Sequence, residues 1–193
     1  MTIDEAVNLI RGRKGTEVTL TIFHEGWNQT KDIKIIRDTI KIKSIEWELK
    51  NDNIAYIRIY QFNQSLPADF KKIALEILSG PAKKIVLDLR DNPGGYLNIC
   101  QEISGWFLKA GDVDVIEDFG KGKEDKYYKA EVNGVFSDYP IVILINNGSA
   151  SASEILAGAL RDNRNIALIG EKSFGKGSVQ ELVNLQDRVS FLK

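Results

Sequence analysis

The chain has a single cysteine, Cys100, and a single histidine, His24, among its 193 residues. One cysteine excludes an intramolecular disulfide and argues against a thiolate metal cluster. A Ser-His-Asp or Cys-His mechanism would have to use His24, which is predicted to be a solvated residue at the end of a strand. Cys100 falls in an apolar pattern with Leu97, Ile99 and Ile103, so its thiol is predicted to face the core. We therefore expect neither a conventional catalytic triad nor a metal or other cofactor.

The chain also lacks an excess of charge of either sign and a long apolar run. Its 26 basic and 27 acidic residues leave a net charge of −1, so no global field favours nucleic acid or an anionic membrane surface. No apolar run approaches the roughly 18 residues of a transmembrane helix, and no signal peptide begins the sequence. An apolar share of 43% is ordinary for a globular protein with a buried core.

The first part of the chain reads as a fragment of a small module. Residues 2–10 are predicted to form a short helix, with Thr2 as its N-cap and Glu5 completing a capping box. Alternating residues predict strands at 18–22 and 31–37. Because a helix and a hairpin of this size cannot bury a core alone, we expect the start of the module to be missing.

From residue 40 onward, strand and helix patterns alternate. The predicted strands are 40–45, 54–59, 84–90, 141–145 and 166–170, and the predicted helices are 66–78, 97–108 and a serine-led helix ending near residue 160. Residues 111–139 are less regular, and the polar run 121–126 is predicted to be a solvated hairpin tip. This alternation predicts an α/β core.

Three loops follow the buried strands, at residues 91–95, 146–151 and 170–177. Ligands gather at such strand ends in open α/β sheets. In the first loop, Gly94 and Gly95 permit close approach of the main chain and can present N–H groups to an oxyanion or a phosphate. A plain Pro-Gly-Gly turn is the alternative.

The third loop suggests a rival function, because residues 170–176 fit the phosphate-binding pattern G-x-x-x-x-G-K. Gly177 stands where that motif needs a Ser or Thr to hold Mg²⁺. Residues 179–185 are predicted to be strand, whereas a phosphate-binding loop leads into a helix. Nucleotide binding is therefore disfavoured.

A serine nucleophile with a lysine base fits these loops better. Ser151 is predicted to lie in the first turn of a helix, where Ala152 offers a backbone N–H to developing negative charge. Lysine acts as a base only when uncharged, a form that burial away from carboxylates favours. Lys176, at the end of a buried strand, is expected to be so placed, and Gln180 can orient its amine without adding charge. A solvated loop lysine is the alternative, because sequence does not show proximity.

Two further serines lie beside Ser151 in the same stretch. Ser149 and Ser153 are predicted to be capping or packing residues, so the three hydroxyl groups are not equivalent.

Three long motifs carry a family resemblance. They are Leu-Asp-Leu-Arg-Asp-Asn-Pro-Gly-Gly at residues 87–95, Asn-Gly-Ser-Ala-Ser-Ala-Ser-Glu-Ile at 147–155, and Phe-Gly-Lys-Gly-Ser-Val-Gln at 174–180. In order and spacing they resemble the C-terminal processing peptidases, the tail-specific serine proteases of family S41, over nearly the whole chain. Residues 2 to about 37 resemble the closing helix and last strands of a PDZ domain, a module that binds extended peptides.

The resemblance implies a fold and a set of site residues. Residues 38–193 would form a ClpP/crotonase-like α/β peptidase core, truncated at its C-terminus, and residues 1–37 would be the C-terminal remnant of a PDZ domain. The implied roles are nucleophile for Ser151, general base for Lys176, orientation of the lysine for Gln180, backbone oxyanion donors for Gly94, Gly95 and Ala152, and a supporting role for Glu154.

The function implied is that of a serine endopeptidase, which cleaves proteins near their C-termini through an acyl-enzyme. The expected partners are proteins or peptides with free C-termini, without nucleic acid or nucleotide, and homo-oligomerisation is left open. An extracytoplasmic, cell-envelope setting is implied for the full-length protein. The alternative is a catalytically incompetent, peptide-binding scaffold fragment of the same fold.

Overall fold

A computed structural model describes residues 2–39, 43–178, 183–184 and 191–192. The chain divides into two compact units, residues 1–42 and 43–193. The sequence predicts a division at 37–38, a few residues earlier, and the identity of the first unit as part of a PDZ domain stays a prediction. Within the described ranges, no helix has the length and apolar character needed to cross a membrane.

The first unit consists of one helix and one hairpin. Helix α1 spans Ile3–Ile10, and strands β1 (Glu17–Ile22) and β2 (Lys31–Ile36) pair antiparallel. The predicted capping box is confirmed, because the Thr2 N–H donates to Glu5 Oε2 at 2.7 Å and the Glu5 N–H donates to Thr2 Oγ1 at 3.2 Å. These bonds satisfy two backbone donors that the first helical turn leaves without partners.

The single histidine lies in this unit and is exposed, as predicted. The His24 ring contacts that of Trp27, with 5.5 Å between their centroids. Its Nδ1 lies 2.6 Å from the Glu25 carbonyl oxygen.

The second unit is an α/β fold, as predicted. Its elements in chain order are β3 (Ile45–Lys50), β4 (Ile54–Ile59), α2 (Leu66–Ser79), β5 (Lys84–Asp88), α3 (Leu97–Ser104), β6 (Val113–Glu117), β7 (Lys126–Lys129), β8 (Ile141–Ile145), α4 (Ala152–Arg164), β9 (Ala167–Gly170), β10 (Val183–Asn184) and β11 (Phe191–Leu192). The main sheet has the order β3-β4-β5-β8-β9. β3 is antiparallel to β4, and the other neighbours are parallel.

The first strand of this sheet differs from its prediction. A strand was expected at 40–45, but residues 40–42 lie outside the described residues and the observed strand is β3 at 45–50. The three-residue connection at 51–53 folds β3 directly back along β4, so the residues next to it form the strand, and Lys50 pairs with Ile54 and Ile45 with Ile59.

Two helix ends also differ from their predictions. α3 stops at Ser104 instead of residue 108, because the chain turns at Gly105 and buries Phe107 and Leu108 in the core. α4 continues to Arg164 instead of ending near residue 160. The Arg164 guanidinium fastens this last turn by donating to the carbonyls of Phe107, Phe136 and Tyr139.

The core lies on one face of the sheet. Alternate residues of β4 are buried, as are the residues of α2 that share its predicted apolar face, namely Phe70, Ile73, Ala74 and Ile77. Phe70 packs in an aromatic cluster with Trp106, Phe107 and Phe136. This core fixes the neighbouring parallel strands β5, β8 and β9, so the loops that follow them meet at one edge of the sheet.

Candidate active site

The three loops predicted to carry the site do converge. The Ala150 N–H in the second loop donates to the Asn92 carbonyl in the first, at 3.0 Å. The Phe174 N–H in the third loop donates to the Ser149 carbonyl in the second, also at 3.0 Å. Backbone hydrogen bonds therefore hold the first and third loops against the turn that carries Ser151.

Ser151 has a strained backbone immediately before helix α4. Its φ and ψ angles are 55° and −116°, a region that residues other than glycine rarely adopt and that costs about 1–3 kcal/mol. The turn connects β8 to α4, and the carbonyl of Ser151 accepts the N–H groups of Glu154 and Ile155 at 2.8 and 3.0 Å. A strained strand-to-helix turn of this kind exposes a nucleophilic hydroxyl at the top of a sheet in other hydrolase folds.

The two neighbouring serines are structural, as predicted. Ser149 and Ser153 are fully buried. Their hydroxyl groups donate to the carbonyls of Leu89 at 2.8 Å and Asn92 at 3.0 Å, respectively. Ser151 is the only one of the three that lines the cleft described below.

The first loop approaches the Ser151 turn closely through Gly94. A Cβ built on Gly94 would lie 2.8 Å from both Ala152 N and Ser151 Cβ. The Gly94 N–H itself donates to the side-chain oxygen of buried Asn92 at 2.9 Å, and the Asn92 amide donates in turn to the Ile59 carbonyl. Gly94 therefore contributes a close approach, and its N–H group has an acceptor in Asn92.

The other two predicted oxyanion donors are differently placed. Among the described residues, none accepts a hydrogen bond from the N–H of Gly95 or of Ala152. Ala152 is the first residue of α4, where the N–H groups have no partner within the helix. Gly95 has no room for a side chain, because a Cβ there would lie 2.2 Å from the Phe62 carbonyl oxygen.

Glu154 connects the Ser151 turn to the lysine loop. Its Oε2 accepts the N–H of Ser151 at 2.8 Å and the N–H of Lys176 at 2.9 Å, while its Oε1 accepts the N–H of Gly175 at 2.6 Å. Burial acts to raise the pKa of Glu154, but the hydrogen bonds from Ser173 and these three amides outweigh it, so the pKa lies below its ordinary value. Glu154 is a charged clamp between the two loops. The sequence signals it as the fourth residue of a Ser-x-x-Glu capping pattern.

Lys176 lies on the same cleft as Ser151, although it is exposed rather than buried. The expectation of a buried lysine is therefore wrong for this structure, because residues 174–178 all lie at the surface. Ser151 and Lys176 are both described, and no hydrogen bond joins Ser151 Oγ to Lys176 Nζ.

The cleft has a volume of about 590 Å³. Ser151 and Ile155 line it from the start of α4, residues 176–178 from the third loop, and residues 115–119 from β6 and the turn after it. The sequence gives little warning of this last wall, because 111–139 carries no chemical motif. The tip at 121–126 is exposed throughout, as predicted, and its last residue, Lys126, begins β7.

A second unpredicted feature supports the first loop from β5. Asp88 is fully buried. It accepts hydrogen bonds from Tyr56 and from the Arg90 guanidinium, whose Nε and Nη2 lie 2.9 and 2.7 Å from its carboxylate oxygens. Burial acts to raise the pKa of Asp88, but these hydrogen bonds prevail and lower it. The pair fixes the chain where it enters the loop at 91–95.

Gln180 lies outside the described residues. Residues 171–178 contain no helix, so the described part of the third loop lacks the helical N-terminus that a phosphate-binding loop uses.

Cys100 is buried and its Sγ lies 3.1 Å from the Ala152 carbonyl oxygen, which confirms a core-facing thiol. No group of three His, Cys, Asp or Glu side chains suited to a metal ion occurs in the described ranges.

Known proteins share both the sequence and the fold. The chain is 42% identical over 189 residues to a carboxy-terminal-processing protease of Bartonella bacilliformis, covering 95% of this chain and 43% of that protein. It is 38% identical over 185 residues to a probable CtpA-like serine protease of Staphylococcus epidermidis, covering 96% of this chain and 37% of that protein. The chain thus spans less than half the length of these relatives.

A solved structure gives the same result. The photosystem II D1 C-terminal processing protease matches with a TM-score of 0.73 and 27% sequence identity, over 97% of this chain and 52% of that one. The profile of Peptidase family S41 matches residues 53–192. Together these matches show that the chain belongs to peptidase family S41.

Proposed function

We propose that this chain is the core of a serine endopeptidase that cleaves protein substrates near their C-termini. The observation that carries the proposal is the position of Ser151: it stands on a strained turn and lines the cleft that Lys176 also lines. The names of the relatives, which are carboxy-terminal-processing and serine proteases, support the same chemistry.

In the proposed mechanism, the Lys176 amine removes the proton from Ser151 Oγ as that oxygen attacks the scissile carbonyl. The negative charge that develops on the carbonyl oxygen is stabilised by the N–H groups of Gly95 and Ala152. The lysine then gives the proton to the leaving amine, and the acyl-enzyme forms. A water molecule activated by the same lysine releases the acyl group.

Two features of the site suit Lys176 to this role. Glu154 holds the lysine loop through the backbone amides of Gly175 and Lys176, which leaves the side chain free to reach toward Ser151. The lysine is exposed in the free cleft, and a bound polypeptide would exclude water there and favour the uncharged amine. Gln180 is proposed to orient the amine.

The substrates are proposed to be proteins or peptides with free C-termini. Residues 1–37 are proposed to be the end of a PDZ domain, and an extracytoplasmic setting is proposed for the whole protein. A ClpP/crotonase-like classification of the core belongs to the same proposal. The oligomeric state stays open.

Cleavage of a peptide with a free C-terminus, followed by mass spectrometry, tests the function. We expect wild-type chain to cleave it, Ser151→Ala to abolish cleavage, and Lys176→Met to reduce the rate at least about a hundredfold, since a general base contributes 10²–10⁴-fold. Lys172→Met, an exposed lysine in the same loop, is the matched control and should behave as wild type. Binding without cleavage that is unchanged in Ser151→Ala would instead support the scaffold alternative.

A further inference from the structure

Strand β6 carries a buried carboxylate that the proposed mechanism does not use. Asp114 is only 8% exposed, and neither of its side-chain oxygens has a hydrogen-bond partner in the described part of the chain. Burying an unpaired charge is far more costly than burying an acid in its neutral form. An orphaned buried polar group of this kind is rare in folded proteins and calls for an explanation.

Within the described part of the chain, the surroundings of Asp114 offer no cation to compensate a negative charge. From α3 it faces the Cys100 thiol and the Ser104 hydroxyl, whose oxygen lies 4.0 Å from Cys100 Sγ. The titratable groups on α4 that share a crevice of about 400 Å³ with it are the acids Glu154 and Asp162. Across the hairpin, β7 places Lys129 opposite Val113 and Tyr128 opposite Val115, and neither pairs with the Asp114 carboxylate.

These surroundings affect both buried acids. Burial raises the pKa of Asp114, and the nearby Ser104 hydroxyl acts in the opposite direction without a hydrogen bond of normal geometry. Burial, and then the charge of Asp114, raise the pKa of Cys100. A charge on Asp114 therefore favours the neutral form of Cys100.

The location of Asp114 links its charge to the cleft. The next two residues of β6, Val115 and Ile116, belong to the wall that faces Ser151 and Lys176. Asp114 itself lies on the inner side of that wall, against α3 and α4. A charge that appeared there without a partner would be relieved by water, and water reaches it only if β6 moves away from the helices.

We propose that Asp114 is a pH-sensitive latch for the cleft wall: its neutral form lets β6 pack on α3 and α4, and its ionised form drives β6 away from them. The direction follows from linkage, because an acid that is neutral in the closed state favours closure most strongly at low pH. The free energy that favours closure decreases as the pH rises from the ordinary aspartate pKa to the pKa of Asp114 in the closed state. Above the closed-state pKa, this free energy no longer changes with pH.

Hydrogen exchange of the β6 backbone amides, measured on the whole chain between about pH 3 and about pH 8, tests the latch. After correction for intrinsic exchange, we expect the protection of the β6 amides to fall as the pH rises. The fall should be roughly tenfold for each unit by which the closed-state pKa of Asp114 exceeds the ordinary aspartate pKa. Asp114→Asn removes the ionisable group, so its protection should not change with pH. Asp125→Asn, at an exposed position, is the matched control and should retain the wild-type dependence.

Two results would overturn the latch: β6 protection in the wild type that is independent of pH, or a dependence that persists in Asp114→Asn. If the asparagine variant does not fold, a carboxyl-carbon NMR titration of Asp114 in the wild type decides instead. A pKa at or below the ordinary aspartate value would then contradict the proposal. Neither readout needs peptidase activity, so the latch and the proposed function fail or succeed separately.

Discussion

Replacing Glu154 by glutamine tests the clamp between the nucleophile turn and the lysine loop. In its best orientation, the glutamine oxygen keeps the amides of Ser151 and Lys176, and its NH₂ group faces the Gly175 N–H that Oε1 accepts in the wild type. One charged hydrogen bond is then lost, and two become bonds to a neutral acceptor, about half as strong.

The expected magnitude follows from these bonds. A hydrogen bond to a charged group contributes about 1.5–3 kcal/mol, and the low end applies because Gly175 and Lys176 are exposed. Only the Gly175 and Lys176 bonds join Glu154 to the loop, so the docked loop should lose about 2 kcal/mol, which is roughly thirtyfold in its population relative to undocked forms. If the loop must be docked for reaction, kcat should fall by a similar factor while KM changes less.

Two assays measure this effect. Hydrogen exchange of the Gly175 and Lys176 amides should accelerate in Glu154→Gln, and peptide cleavage should slow. Glu171→Gln, which changes an exposed glutamate before the same loop, is the matched control and should alter neither. Unchanged protection of both amides in Glu154→Gln would refute the clamp, whatever the activity.

The other predictions concern the same loops. Because the pKa of Glu154 is lowered, its contribution should be present above the ordinary glutamate value of 4.5 and be lost as the pH falls through the lowered one; Gly175 exchange should show this in wild type, and a loop that stays protected in acid would contradict it. Ser151→Gly relieves a positive φ and should exceed Ser151→Ala in unfolding free energy by about 1 kcal/mol, whereas equal urea midpoints would argue against strain. Gly95→Ala places a Cβ 2.2 Å from a carbonyl oxygen and should destabilise the chain by at least about 1–3 kcal/mol; Gly177→Ala, with open space around it, is its control. Asp88→Asn should lower the unfolding free energy by about 2–3 kcal/mol through its Arg90 and Tyr56 bonds, and a change under 0.5 kcal/mol, about that of an ordinary surface substitution, would show that the buried pair contributes little.

Much of the core could be predicted because its patterns are local. The apolar runs that became β5 and β8 and the apolar face of α2 specify elements that are buried in the structure. The limits of α3 and α4 could not be predicted, since they depend on where Phe107 is buried and on what Arg164 bonds. β3 was misplaced because the alternating residues 40–45 predict a strand, whereas residues 45–50 pair with β4 up to the connection at 51–53.

The candidate site was predictable to a similar extent. Sequence order indicates that Ser151 and Lys176 follow neighbouring strands, and the structure places both on one cleft. The sequence does not reveal that the Gly94 N–H donates to Asn92 or that Glu154 binds two loops at once. Those are contacts between segments distant in sequence, and only the packed fold brings them together. Asp114 was missed because the burial of a single acid leaves no periodic signal in the sequence.

The most direct test of the central claim is the rate at which a fluorophosphonate probe modifies Ser151, located by mass spectrometry of the labelled chain. Ser151 and Lys176 acting together predict a single label on Ser151 and a labelling rate that falls at least about a hundredfold in Lys176→Met, but not in Lys172→Met. A folded chain that leaves Ser151 unlabelled, or labels it equally fast without Lys176, would contradict the account.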